Sequence, residues 1–212
     1  MNLNRPLSTV TPTLDGDVLA VLARVNATFT AGQLRRILTR YSEEGIRKVL
    51  RRLAKQGVVR TENAGNAIVY RFNSDHLAAE HIVGLSGLMG TFLARVEHRL
   101  ATWEVPPVYA AVFGSAARGT MTAESDVDLL LVRPDGGDGD RWDEQVALLV
   151  ADVSRWTGND TRPLEFTAAE LVDRAGDEPV LRDVLDEGLT VAGDRSWLAK
   201  QLGEDHNGGR DG

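Results

Sequence analysis

Residues 112–132 read VFGSAARGTMTAESDVDLLLV. An apolar run ends in Gly114-Ser115, Arg118 follows, and eleven residues after the glycine Ser125 introduces Asp126 and Asp128 inside a second apolar run. Residues i and i+2 of a strand project to the same face, so the two carboxylates point at one spot while their neighbours run into a core. Two like charges held together at the end of a sheet are costly unless a cation sits between them. Oxygen donors without cysteine or suitably spaced histidine favour a hard cation such as Mg²⁺. Gly114 permits close backbone approach, and Ser115 at the start of the short segment AARG offers donors to a phosphate.

Around this stretch the chain reads as a succession of strands and helices. VYAAVFG is a buried strand that follows Pro106 and Pro107, where a helix must stop. Beyond the aspartates, DRWDEQVALLVADVSRWTG is a helix whose Trp142, Val146, Leu149, Val153 and Trp156 form a core stripe, and TRPLEFTAAEL follows. Thr167 and Glu170 have the spacing of a capping box, Asp160 lies in a turn, and Pro163 places its strand at an edge or at a strand start.

With 212 residues and 42% hydrophobic content the chain can bury a sizeable core. The absence of cysteine excludes disulfides, thiolate metal sites and thiol catalysis. The first fourteen residues hold no apolar signal region and no apolar run approaches the ~20 residues of a membrane span, so a cytoplasmic protein with no membrane partner is expected. The formal net charge of −7 conceals a split. Residues 1–75 carry twelve Lys and Arg against six Asp and Glu, and the remainder carries twelve against twenty-five. That asymmetry suggests a basic, nucleic-acid-facing module joined to an acidic one with a different task.

In the basic part, DVLAVLARV from Asp17 reads as a short helix, Thr30 and Gln33 complete a capping box for AGQLRRILTR, and Ser42 caps EEGIRKVLRRLAKQ. Ile46, Val49, Leu50 and Leu53 of this third helix share one stripe, opposite Arg47, Lys48, Arg51, Arg52 and Lys55. Gly57 supplies a stop, and VVRTE and AIVYRF read as strands joined by a turn at residues 63–66. Asn73 is a candidate cap for a helical stretch that carries glycines 84, 87 and 90 and leads into the acidic part. His76, His81 and His98 on that stretch fit no compact ligand set.

Three helices and a hairpin with arginines on the third helix resemble the winged helix-turn-helix of bacterial transcription regulators, over roughly residues 12–73. The resemblance implies duplex DNA as a partner, met by Arg47, Lys48, Arg51 and Arg52, with Arg60 and Arg71 near the wing. GSAARG followed by SDVDLLLV resembles the DNA polymerase β nucleotidyltransferase superfamily, in particular its minimal nucleotidyltransferase branch, from about residue 105 to 193. LRDVLDEGLTVAGD looks like the helix and closing strand of that branch. By this resemblance Asp126 and Asp128 are catalytic and hold Mg²⁺ or Mn²⁺, Gly114, Ser115, Arg118 and Ser125 bind an NTP, and a third carboxylate stands on a later strand between apolar residues. Glu165, between Leu164 and Phe166, is the best match for that catalytic and metal-binding role.

The expected fold is therefore α+β: a winged domain over residues 1–75, a helical linker over 76–104, a small mixed-sheet nucleotidyltransferase core over 105–200 and a disordered tail over 201–212. Two functions stay open. One is transfer of a nucleoside monophosphate to a protein, RNA or small-molecule acceptor, coupled to DNA binding and to transcriptional or antitoxin-type regulation with a partner toxin. The other is a non-enzymatic regulator that uses the same pocket to sense a nucleotide. The acceptor, the base preference and the oligomeric state, a homodimer included, are not readable from the residues.

Overall fold

The computed structural model describes residues 1–174 and 177–203, so most of the segment expected to form a disordered tail lies outside the described residues. The chain divides into two compact units, residues 2–90 and the residues from Thr91 on together with Met1. Each has its own core. Among the described residues no helix is long and apolar enough to cross a membrane.

In the first unit a 3₁₀ turn at Pro6–Thr9 precedes α1 (Leu14–Arg24), α2 (Ala31–Ile37), α3 (Glu43–Lys55), the strands β1 (Val59–Ala64) and β2 (Ala67–Phe72), and α4 (Ala79–Ser86). The capping box of α2 is formed on both sides: Thr30 Oγ1 accepts from Gln33 N and Gln33 Oε1 accepts from Thr30 N. Ser42 caps α3 by accepting from Gly45 N at 3.1 Å. Ile46, Val49, Leu50 and Leu53 are all buried, packed with Val18, Leu22, Leu34 and Tyr70. Replacing Leu50 by Ala there would cost about 2–5 kcal/mol. The hairpin pairs Ala64 with Ala67, which leaves a two-residue turn tighter than the four turn residues anticipated; Gly65 takes φ +62° in it.

Asn73 does not cap a helix. Its amide donates to Gly57 O at 2.7 Å and its Oδ1 accepts from Asp75 N, so α4 begins only at Ala79. The helical stretch breaks once, at Gly87, before α5 (Leu88–Ala101). Ile82 and Leu85 of α4 pack on the core of the first unit.

The second unit holds β3 (Tyr109–Phe113), α6 (Gly114–Arg118), β4 (Val127–Arg133), α7 (Gly139–Thr157), β5 (Thr161–Thr167), α8 (Ala168–Arg174), α9 (Pro179–Glu187), β6 (Leu189–Ala192) and α10 (Arg195–Gln201). The sheet order is β5-β4-β3-β6, with β4 parallel to β5 and β3 antiparallel to both its neighbours. Pro163 lies on an edge strand, where its missing N–H is tolerated. Leu130 and Val132 on one face of β4 pack with Leu171, Leu181, Val184 and Leu198. Alternation sends Val127, Leu129 and Leu131, all buried, to the other face, toward Trp142 and Leu149 of α7. The result is a mixed α+β fold with mixed strand directions.

Candidate active site

The strand β4 carries Asp128 and is preceded directly by Asp126. Its register pairs Asp128 with Phe113, the residue before Gly114. Gly114 is buried at φ +68°, in the left-handed region that favours glycine, and a Cβ built on it would collide with Oδ2 of Asp128. Only glycine leaves room here for a carboxylate against the turn. The Asp128 carboxyl is pushed above its ordinary range by burial first and by the Asp126 charge second, while Arg162 and Arg118 oppose this by charge alone. Arg118, at the end of α6, stands 3.8 Å from Glu187 of α9.

The parallel pairing of β4 with β5 decides which residues of β5 reach this spot. Asp128 is level with Arg162, and Leu131 is level with Glu165. Arg162 thus shares the face of the aspartates, and its Nη2 lies 2.8 Å from Asp126 Oδ2. Glu165 points the other way, where its Oε2 accepts the Nε1–H of Trp142 at 2.6 Å. The register does not bring Glu165, expected beside the two aspartates, onto their face: an odd offset along a strand puts a side chain on the opposite face. Among the described residues no third His, Asp or Glu joins the pair in a metal-ligating group.

Residues 97–161 match the family model of the nucleotidyltransferase domain. The second unit carries a nucleotidyltransferase domain. The match spans Gly114, Asp126 and Asp128 but ends at Thr161, before Arg162 and Glu165. Similar solved structures include a toxin-antitoxin with AMP-PNP, 16% identical, covering 52% of this chain and 84% of that one at a TM-score of 0.38. Another is the tri-AMPylated Shewanella oneidensis HEPN toxin in complex with MNT antitoxin, 13% identical over 54% of this chain and 83% of that one, TM-score 0.35. TrmBL2, an archaeal chromatin protein with a novel mode of DNA binding, is 16% identical over 85% and 76%, TM-score 0.28. No curated protein matches the chain.

Within the nucleotidyltransferase domain, the donor set can be tested for fit to a cation. Mg²⁺ is commonly held by one or two carboxylates, with substrate phosphates and water completing its shell. Asp126 and Asp128, two like charges converging beside a glycine turn with one of them desolvated, meet that description without a third carboxylate. Ser115 lies in the first turn of α6, next to Gly114. Ser125 is tied into the loop: its Oγ accepts from Thr122 N at 2.9 Å, and Asn159 Nδ2 donates to its carbonyl oxygen at 2.8 Å. Neither Arg162 nor the buried Asn159 is legible along the sequence, since Arg162 reaches the aspartates through strand register and Asn159 acts through hydrogen bonds to the carbonyl oxygens of Ala123 and Ser125.

In the first unit the basic face of α3 is exposed, yet its members differ. Arg47 pairs with Glu43, and Arg52 reaches across to Asp15 of α1. Lys48 and Arg51 have no ion-pair partner among the described residues. Arg60, at the hairpin, is 2.6 Å from Asp75.

Proposed function

We propose that the nucleotidyltransferase domain transfers a nucleoside monophosphate from an NTP to an acceptor hydroxyl, and that the first unit is a winged helix-turn-helix that binds duplex DNA. The observation that carries the transfer is the half-buried Asp128 set against Gly114 beside a second aspartate, a charge arrangement that a folded chain does not keep without a use for it. Asp126 and Asp128 would hold Mg²⁺ or Mn²⁺, which when bound neutralises phosphate charge and polarises the reacting phosphoryl group. Gly114 keeps the backbone clear for the phosphates. Arg118, at the end of α6, takes up charge on the pyrophosphate that departs as the acceptor oxygen bonds to the α-phosphorus and the hydroxyl proton passes to solvent.

A protein side chain of a partner toxin is the acceptor to test first, since the sequence resembles minimal nucleotidyltransferases that modify such partners; RNA and small molecules come next. One observation favours the second reading, a nucleotide sensor: a guanidinium, that of Arg162, stands level with Asp128 where a third carboxylate would serve transfer. Labelled NTPs with Mg²⁺ and cell lysate decide between them. Transfer by the wild type and none by Asp126→Asn supports the enzyme, and tight Mg-NTP binding without transfer to any acceptor leaves the sensor.

DNA binding rests on the exposed face of α3. Lys48→Ala and Arg51→Ala should each flatten the salt dependence of binding by about one unit of slope, because each frees one phosphate contact. Arg47 and Arg52, held by Glu43 and Asp15, should contribute less. A wild-type protein without salt-sensitive affinity for duplex DNA would overturn this part.

A further inference from the structure

The feature that neither the family match nor the transfer reaction assigns is Arg162. Its guanidinium takes one oxygen of Asp126, at 2.8 Å, on the face where a cation would sit between the two carboxylates. A divalent ion on that pair and a guanidinium on the same oxygen repel one another, so both cannot hold Asp126 fully at once. Arg162 is nevertheless free to leave. Its side chain is 72% exposed and it belongs to β5, an edge strand, so turning outward uncovers no core.

The destination of the departing guanidinium is set by charge and position, since β4 lies between β5 and β3 in the sheet. Arg162 therefore flanks the aspartates from β5, and Arg118, on the helix that follows β3, flanks them from the other side. A triphosphate with one divalent ion remains anionic, and two guanidiniums placed on either side of the ion are suited to its outer oxygens. We infer that Arg162 is an internal counter-ion that holds the cation's place at Asp126 and Asp128 and turns to the triphosphate when the metal–nucleotide complex arrives. This rests on the nucleotide-binding reading of the site. It makes Arg162 a nucleotide-positioning residue and not a metal ligand.

The consequence is a crossed pair of effects that neither a surface arginine nor a structural one produces. Removing the guanidinium should tighten binding of the metal alone, because the competitor is gone, and weaken binding of the metal with nucleotide, because a phosphate contact is gone. The full chain, Mn²⁺ and a non-hydrolysable NTP analogue are the reagents, and affinities are measured for wild type, Arg162→Ala and Arg162→Lys. Arg162→Ala should bind Mn²⁺ alone about 3- to 10-fold more tightly and the Mn²⁺–analogue complex about 10-fold more weakly, the scale of one partly screened charge. Arg162→Lys should restore both values most of the way.

Unchanged affinities in Arg162→Ala overturn the inference while leaving the nucleotidyltransferase reading intact. So does a parallel loss of both affinities, which would mark a structural arginine. A wild-type chain that binds neither Mn²⁺ nor the Mn²⁺–analogue complex overturns the reading of the site itself, and the inference with it.

Discussion

Asp17 in the first unit and Asp128 in the second are both withdrawn from water, and the chain treats them in opposite ways. Asp17 is surrounded by donors: Arg5 offers Nε and Nη2 at 3.0 and 2.8 Å, Arg40 approaches to 2.5 Å, and the Tyr41 hydroxyl donates as well. Burial works against its ionisation, yet the hydrogen bonds from Arg5, Tyr41 and Arg40 outweigh it and hold the carboxyl below its ordinary range. Asp128 has a like charge for a neighbour, and its carboxyl is held above that range. One carboxylate is complete within the fold. In the proposed function the other is completed from outside, and that difference would separate a structural acid from a working one.

The largest expected break in the comparison is catalytic. Asp128→Asn should lower labelled transfer by roughly 10²–10³-fold, several kcal/mol of lost charge stabilisation, while Asp17→Asn should leave the rate per folded molecule unchanged. Glu165→Gln, which touches Trp142 on the opposite face, should fall well short of the ~10²-fold loss that removal of a general base brings. A collapse of transfer in Glu165→Gln with nucleotide affinity retained would restore Glu165 to the site.

Stability should answer the other way round. Asp17→Asn leaves Arg5 and Arg40 without their carboxylate and should cost about 2–3 kcal/mol, less than a fully buried pair because both guanidiniums are partly exposed. Asp128→Asn should leave the metal-free second unit as stable as before or slightly more so. All four tryptophans, Trp103, Trp142, Trp156 and Trp197, lie in the second unit, so their fluorescence follows its unfolding alone.

A smaller effect lies in pH. Asp17 has a lowered folded-state pKa, so its contribution is present above the unfolded carboxylate value of about 3.9 and is lost as pH falls through the lower, folded value. Asp128 has a raised one: it favours the fold below about 3.9 and that advantage is lost as pH rises through its folded value. Metal-free melts followed by tryptophan should therefore weaken as pH climbs out of the carboxylate range, and Asp126→Asn should flatten that decline. An identical slope in the variant would mean that the two aspartates do not repel one another.

Local pattern made much of this legible in the sequence. The Asp-x-Asp spacing, the stripe of α3 and the capping boxes Thr30-Gln33 and Thr167-Glu170 each depend on neighbours within four residues, and each is present. What escaped depends on distant partners. Whether Arg162 or Glu165 faces the aspartates is set by the register of β5 on β4, which is invisible along β5 alone. Asn73 has the chemistry of a cap but spends its amide on Gly57, sixteen residues back. Asp17 reads as the first residue of a helix; α1 starts at Leu14, and the aspartate turns to Arg5, Arg40 and Tyr41.

The most direct test of the difference between the two aspartates is the melting of the second unit, followed by tryptophan fluorescence, with and without Mg²⁺ and an NTP. A ligand that binds only the folded state stabilises by RT ln(1 + [L]/Kd), about 2.7 kcal/mol at a hundred times Kd. The wild type should gain stability on that scale, Asp17→Asn, in the other unit, should start from the same midpoint and gain as much, and Asp126→Asn should lose the metal-dependent part. Equal gains in wild type and Asp126→Asn would contradict the assignment of Asp126 and Asp128 as the site that metal and nucleotide complete.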